Sequence, residues 1–126
     1  MFVVEGVVIG GKRLGRQLGF PTANIALDEG VAVDNGVYSS MVYVEGVRYA
    51  AMTNVGVRPS VDGKCRLLET HLFGFEGDLY GKMLRVELLE KIRDEKKFSS
   101  VEELKAQIER DKQTVLLKSQ EPMANG

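Results

Sequence analysis

The segment Gly19-Phe20-Pro21-Thr22-Ala23-Asn24, approached through Gly11 and Gly15, concentrates residue types that handle a polyphosphate and a hard cation. A glycine backbone passes close to a bulky anion because no Cβ obstructs it. Pro21 fixes its own φ and pushes Phe20 toward an extended conformation. Thr22 and Asn24 stand two apart, so on an extended segment both side chains point to one side. A hydroxyl and an amide oxygen placed together are ligands of the kind Mg²⁺ accepts when phosphates supply the negative charge. Backbone amides would cradle those phosphates, and Arg16 or Lys12 would offset their charge. A surface loop with an Asx turn uses the same residues, and spacing alone leaves both readings open.

Phosphoryl transfer also needs a group that positions the acceptor hydroxyl or takes its proton. The carboxylate candidate is Glu69 in Leu67-Leu68-Glu69-Thr70-His71-Leu72-Phe73, where Leu67, Glu69, His71 and Phe73 share one face of a strand. A carboxylate among apolar neighbours is partly desolvated, a setting suited to proton abstraction. The competing reading is an exposed edge-strand Glu69 paired with an arginine or lysine. His71, the one histidine, is an alternative base or a hydrogen-bonded structural residue. It has no cysteine or second histidine beside it, which argues against a transition-metal site.

These residues need a frame, and most of the chain reads as β structure. Residues 2–9 are rich in valine and isoleucine, and Asp34-Asn35-Gly36 marks a turn before a strand over 36–44. Glu45-Gly46 joins that strand to a second over 47–55 as a hairpin. Asp62-Gly63 is a further turn, leading to a strand over 66–73. Leu84, Val86 and Leu88 then alternate with Arg85 and Glu87, the pattern of a half-buried strand. Short strands at this spacing predict a small antiparallel barrel or sandwich. The period changes at Ser100-Val101-Glu102-Glu103, a capping box. Val101, Leu104, Ile108 and Val115 follow on one face of a helix expected to pack on the barrel and to end near Leu117. A single domain over 1–118 and a disordered tail over 119–126 are expected.

Composition narrows the class. Hydrophobic residues make up 44% and charged residues 28% of 126, the balance of a soluble globular domain. A net charge of −1 argues against a non-specific nucleic-acid binder. Cys65 is the only cysteine, so no internal disulfide forms. No apolar run reaches membrane-spanning length and the start has no basic n-region, so a cytoplasmic protein with no membrane partner is expected. Gly10-Gly11-Lys12-Arg13-Leu14-Gly15 is not a P-loop, and Gly11, Gly15 and Gly19 are wrongly spaced for a dinucleotide fingerprint.

The stretches Gly6-Val7-Val8-Ile9-Gly10, Gly15-Arg16-Gln17-Leu18-Gly19-Phe20-Pro21-Thr22-Ala23-Asn24 and Asn35-Gly36-Val37-Tyr38 occur in order. Asn54-Val55-Gly56-Val57-Arg58-Pro59, Glu69-Thr70-His71-Leu72-Phe73, Asp78-Leu79-Tyr80-Gly81-Lys82 and Ile92-Arg93-Asp94-Glu95-Lys96-Lys97-Phe98 follow. Together they resemble the riboflavin kinase family, including the kinase module of bacterial bifunctional FAD synthetases. The resemblance implies a mainly β, six-stranded antiparallel Greek-key barrel with a C-terminal α-helix. It implies Mg²⁺-dependent transfer of the ATP γ-phosphoryl group to the ribityl 5′-hydroxyl of riboflavin, giving FMN and ADP, with Zn²⁺ or Mn²⁺ as substitutes for Mg²⁺. On it, Thr22 and Asn24 hold the metal and Gly10 and Arg16 contact the nucleotide phosphates. Glu69 takes the hydroxyl proton, and Arg93, Glu95 and Phe98 belong to the loop over the flavin. A monomer, or a module of a bifunctional synthetase, is implied. The chain departs from the family pattern at Ser60, where threonine is usual, and at Gly74, where aspartate is common. The adenylylating domain of the bifunctional relatives has no counterpart in these residues, so FAD synthesis is not expected. The rival readings are a non-catalytic flavin- or nucleotide-binding barrel of the same descent and an oligonucleotide-binding barrel. The latter would need basic, aromatic strand faces that this chain lacks.

Overall fold

The computed structural model describes residues 1–10, 21–28, 30–61 and 63–120. Arg16, Lys12, Gly11, Gly15 and Gly19 lie outside them, as do the Asp62 turn residue and the tail beyond Gln120. Among the described residues six strands, β1 (Phe2–Val7), β2 (Ala23–Leu27), β3 (Gly36–Val44), β4 (Val47–Ser60), β5 (Gly63–Leu72) and β6 (Met83–Arg93), precede one helix, α1 (Val101–Gln120). Every pairing is antiparallel, in the order β1-β6-β3-β4-β5-β2. Strands β3, β4 and β5 are successive hairpins and β6 returns beside β3, the Greek-key arrangement. The two ends of the sheet meet where the Ile9 amide donates to the Asn24 carbonyl (2.8 Å) and the Asn24 amide to the Gly10 carbonyl (2.7 Å), nearly closing the barrel. Gly6 permits this meeting, because a Cβ there would fall 2.5 Å from Ile25 Cγ2.

Alternation fills the barrel with Ile25, Val42, Val55, Leu68, Leu84, Val86 and Leu88, all essentially without exposure. A ladder of hydroxyls crosses this interior: Ser40 Oγ lies 2.6 Å from Thr53 Oγ1, which lies 2.8 Å from Thr70 Oγ1. Ser40 donates its single proton to the Ala51 carbonyl (3.0 Å), so Thr53 donates to Ser40 and Thr70 to Thr53. Each buried hydroxyl is thereby satisfied.

Three differences from the sequence-based expectation have local causes. Strand β2 has Ile25 as its one β-branched residue among Ala23, Asn24, Ala26 and Leu27, so its five residues show little β signal. Strand β4 continues past Val55 through Gly56 and Pro59 to Ser60, whereas 47–55 was expected. Its pairing with β3 stops at Gly36↔Val55 while that with β5 runs on to Ser60↔Gly63, and a strand bonded on one side tolerates proline. Helix α1 runs past Leu117 to Gln120, its last turn held by Lys118 Nζ at 2.9 Å from Glu90 of β6. Its N-terminus is capped as expected through Ser100 Oγ, which accepts the Glu103 amide at 3.1 Å. Glu103 reaches back to the Ser99 amide (3.3 Å) and hydroxyl (2.8 Å). Of the expected apolar face, Val115 is buried and Val101 is 49% exposed. Leu104 and Ile108 border a cavity instead of the barrel core. Among the described residues no helix is long and apolar enough to cross a membrane.

Candidate active site

The strand register assembles the site. Glu69 on β5 stands opposite Asn24 of β2 on one side and Asn54 of β4 on the other, and Asn54 stands opposite Val37 of β3. Alternation sends Leu68 and Thr70 into the barrel, so Glu69, Asn24 and Asn54 point to its outer face. That face is bordered by α1 and by residues 95–98, and Glu69 is only 4% exposed.

Glu69 is not a lone carboxylate. Arg58, four residues beyond Asn54 on the same face of β4, donates from Nε to Glu69 Oε1 at 2.8 Å. Its Nη1 lies 2.9 Å from Glu95 Oε1 and donates to the Val57 carbonyl at 3.0 Å. Burial works against the Arg58 charge, yet the two carboxylates outweigh it and hold the guanidinium pKa above its ordinary value. Gly56 makes the Arg58–Glu95 contact possible, because a Cβ there would lie 2.0 Å from Glu95 Oε1 and 2.6 Å from Arg58 Nη1. The expected exposed edge-strand position is not found, since Glu69 is 4% exposed and β5 is paired on both sides; of that alternative only the pairing with an arginine is present, and the carboxylate is buried.

His71 lies two residues along the same face, with Nδ1 2.8 Å from the Pro21 carbonyl. A carbonyl only accepts, so Nδ1 carries the proton of the neutral ring. Burial lowers the His71 pKa, and Lys112 adds to the effect. His71 is thus a neutral tether between β5 and the segment that begins β2, and its ring meets Phe73 edge-on at 5.4 Å.

Two cavities meet here. The larger, about 500 Å³, lies between barrel and α1, bordered by Glu69, Arg58, Glu95, Phe98, Leu104 and Ile108, and it has the size of a small-molecule site. The smaller, about 310 Å³, is bordered by Gly10, Pro21, Phe75, Asp78, Leu79 and Tyr80. Among the described residues Thr22 alone borders both. The space beside Gly10 Cα is open, as close backbone approach to a ligand requires. Among the described residues Asn24 Oδ1 is buried without a hydrogen-bond partner, as is Asn54 Oδ1. A buried carbonyl oxygen left unpaired is costly in a protein alone and suits a cation ligand. The donor set at Thr22 and Asn24 therefore fits a divalent metal.

The residues expected at the flavin side are together, with unequal freedom. Arg93 borders the larger cavity, but its Nε and Nη2 bind Asp111 at 2.7–3.1 Å and its Nη1 donates to the Asp94 carbonyl at 2.8 Å. Asp111 also accepts from Gln107 Nε2 at 2.9 Å, so Arg93 ties α1 to β6. Glu95 is engaged by Arg58, whereas Phe98 offers its ring to the cavity. Sequence reasoning gave no role to Asn54, Arg58 or Asp111. The spacing of Asn54, Gly56 and Arg58 by twos was a usable signal for the first two. Asp111 had none, since its partner is 18 residues away.

The family model for riboflavin kinase (Flavokinase) matches residues 1–117. A bifunctional riboflavin kinase/FMN adenylyltransferase from Haemophilus influenzae is 47% identical over 112 residues, covering 88% of this chain and 36% of the relative. The chain thus spans little more than a third of that relative's length. Among solved structures, a Streptococcus pneumoniae chain described as a macrolide-efflux protein superposes with a TM-score of 0.80 at 36% identity, over 90% of this chain and 38% of that one. Riboflavin kinase from Trypanosoma brucei superposes with a TM-score of 0.66 at 26% identity, over 95% of this chain and 80% of that one. With a family model spanning nearly all of the described barrel and helix, the chain belongs to the riboflavin kinase family.

Proposed function

We propose that this chain phosphorylates riboflavin, moving the γ-phosphoryl group of ATP to the ribityl 5′-hydroxyl and releasing FMN and ADP. The observation that carries the reading is the buried Glu69 on the wall of a flavin-sized cavity that meets a second cavity at Thr22. The larger cavity takes riboflavin, with Phe98, Leu104 and Ile108 against the ring system. The smaller takes the nucleotide, with Gly10 beside the phosphates and Arg16, which lies outside the described residues, offsetting their charge. In the transfer a bond forms between the 5′-oxygen and the γ-phosphorus while the bond from that phosphorus to the β,γ-bridging oxygen breaks. Glu69 positions the hydroxyl and receives its proton. Thr22 and Asn24 hold a divalent cation, Mg²⁺ with Zn²⁺ or Mn²⁺ as substitutes, whose charge neutralises the phosphates. Being neutral ligands, they leave that charge available to the triphosphate.

The kinase domain on this reading is 1–118. Of the two activities in the relative's name, phosphotransfer is the one these residues support. Incubation with riboflavin, ATP and Mg²⁺, followed by chromatographic separation of flavins, should yield FMN in step with ADP. Flavin binding without FMN formation under any of the three metals would replace the reading with that of a non-catalytic binding barrel.

A further inference from the structure

Arg58 belongs to a stretch that resembles the family, yet the phosphotransfer reading leaves it without a part. We infer that Arg58 is a positioning residue that couples Glu69 to the segment roofing the larger cavity, by sharing one guanidinium between Glu69 and Glu95; the inference rests on the phosphotransfer reading.

The geometry supports it in three ways. Arg58 uses different nitrogens for the two carboxylates, Nε for Glu69 at 2.8 Å and Nη1 for Glu95 at 2.9 Å, so both contacts are made at once. The planar fork of arginine allows this, whereas a lysine ammonium is a point charge on a flexible stem. Gly56 is the position at which any side chain would occupy the Arg58–Glu95 contact. The three groups also come from three places: β5, β4 and the segment after β6. A displacement of residues 95–98, which border the larger cavity, is therefore felt at Glu69 through one side chain.

The sharing matters for orientation. With Nε held by Glu69 and Nη1 by Glu95, the guanidinium plane is fixed at two points, and Glu69 Oε1 is fixed with it. Removing the Glu95 charge releases Nη1, so Glu69 loses a fixed orientation and Glu95 no longer tethers its segment to the barrel wall.

The test is a double-mutant cycle on steady-state FMN formation with E95Q, R58K and the pair. E95Q is expected to lower kcat about tenfold, within the range for directly interacting residues, while the riboflavin KM changes less than about threefold. R58K should lower kcat comparably, and adding E95Q to R58K should cost nothing more. Rescue should follow chemistry: E95D restores most of the kcat lost in E95Q. The Glu95 side chain is 30% exposed, so E95Q and E95D report even if R58K loses stability. A rise in KM with kcat unchanged in E95Q would make Glu95 a simple flavin contact and overturn the inference, as would losses that multiply in the double variant. A wild-type protein that makes no FMN removes the phosphotransfer reading and this inference with it. An active wild type with multiplicative losses removes the inference alone.

Discussion

At the residue scale the site is a problem in placing charge. Glu69 is 4% exposed and bound to Arg58, so on the proposed reading it would supply orientation and a proton acceptor in a dry setting. Replacing it with glutamine keeps the shape and removes the acceptor. E69Q should reduce kcat at least ~10²-fold, the usual scale for a general base, with a small change in riboflavin affinity by fluorescence titration. Turnover near the wild-type value would transfer the role to another group. Asn24 Oδ1, buried without a partner, makes a separate prediction. Asn24→Ala should raise the Mg²⁺ concentration needed for half-maximal rate, and because it also removes an unsatisfied oxygen it should not destabilise the metal-free protein. An unaltered Mg²⁺ titration would rule Asn24 out as a ligand. Residue types and spacing single out Thr22, Asn24 and Glu69 as candidates in the sequence. The Arg58 partnership was not legible there, because a strand sequence does not state its register with its neighbour.

At the scale of elements, two attachments build the larger cavity. One is the short strand β2, held to β5 by pairing and to His71 through the Pro21 carbonyl. The other is α1, which docks less by its apolar stripe than by Asp111 on Arg93. Asp111 is 4% exposed and Arg93 19%, so breaking the pair strands a largely buried charge. Asp111→Ala should destabilise the protein by about 3 kcal/mol in urea unfolding, the low end for loss of one partner of a buried pair, and raise the riboflavin KM as the helix loosens. A stability change below ~1 kcal/mol would show that helix packing does not depend on this pair. The helix itself was readable from its capping box and period. Its docking mode was not, since Val101 on the expected face is exposed while polar Gln107 and Asp111 are buried.

For the whole molecule, the barrel is a rigid frame whose inside and outside do different work. The inside is packed with aliphatic side chains and a closed hydroxyl ladder, and the outside between β2, β5, β4 and α1 holds the candidate site. Shortening a central residue should cost the frame directly: Leu68→Ala is expected to lose about 2–5 kcal/mol in chemical unfolding. The frame should also sense acid through His71. Its folded pKa lies below the ordinary value because of burial, so in acid the unfolded chain takes up a proton that the native state resists. Stability should therefore fall as pH drops through about 6.5, the ordinary histidine value, and a H71Q variant should lose that step. Equal acid sensitivity in both proteins would assign the effect to other groups. The sequence by itself determined the antiparallel β class, the C-terminal helix and the residue types of a phosphate-and-metal site, because period, turn residues and capping are local properties. Only the tertiary structure decided that Asn24, Glu69 and Asn54 form one row, that Arg58 lies between Glu69 and Glu95, and that the site sits outside the barrel under α1. Those facts depend on strand register and helix docking, which join residues far apart in the chain and set Asn24 opposite Glu69.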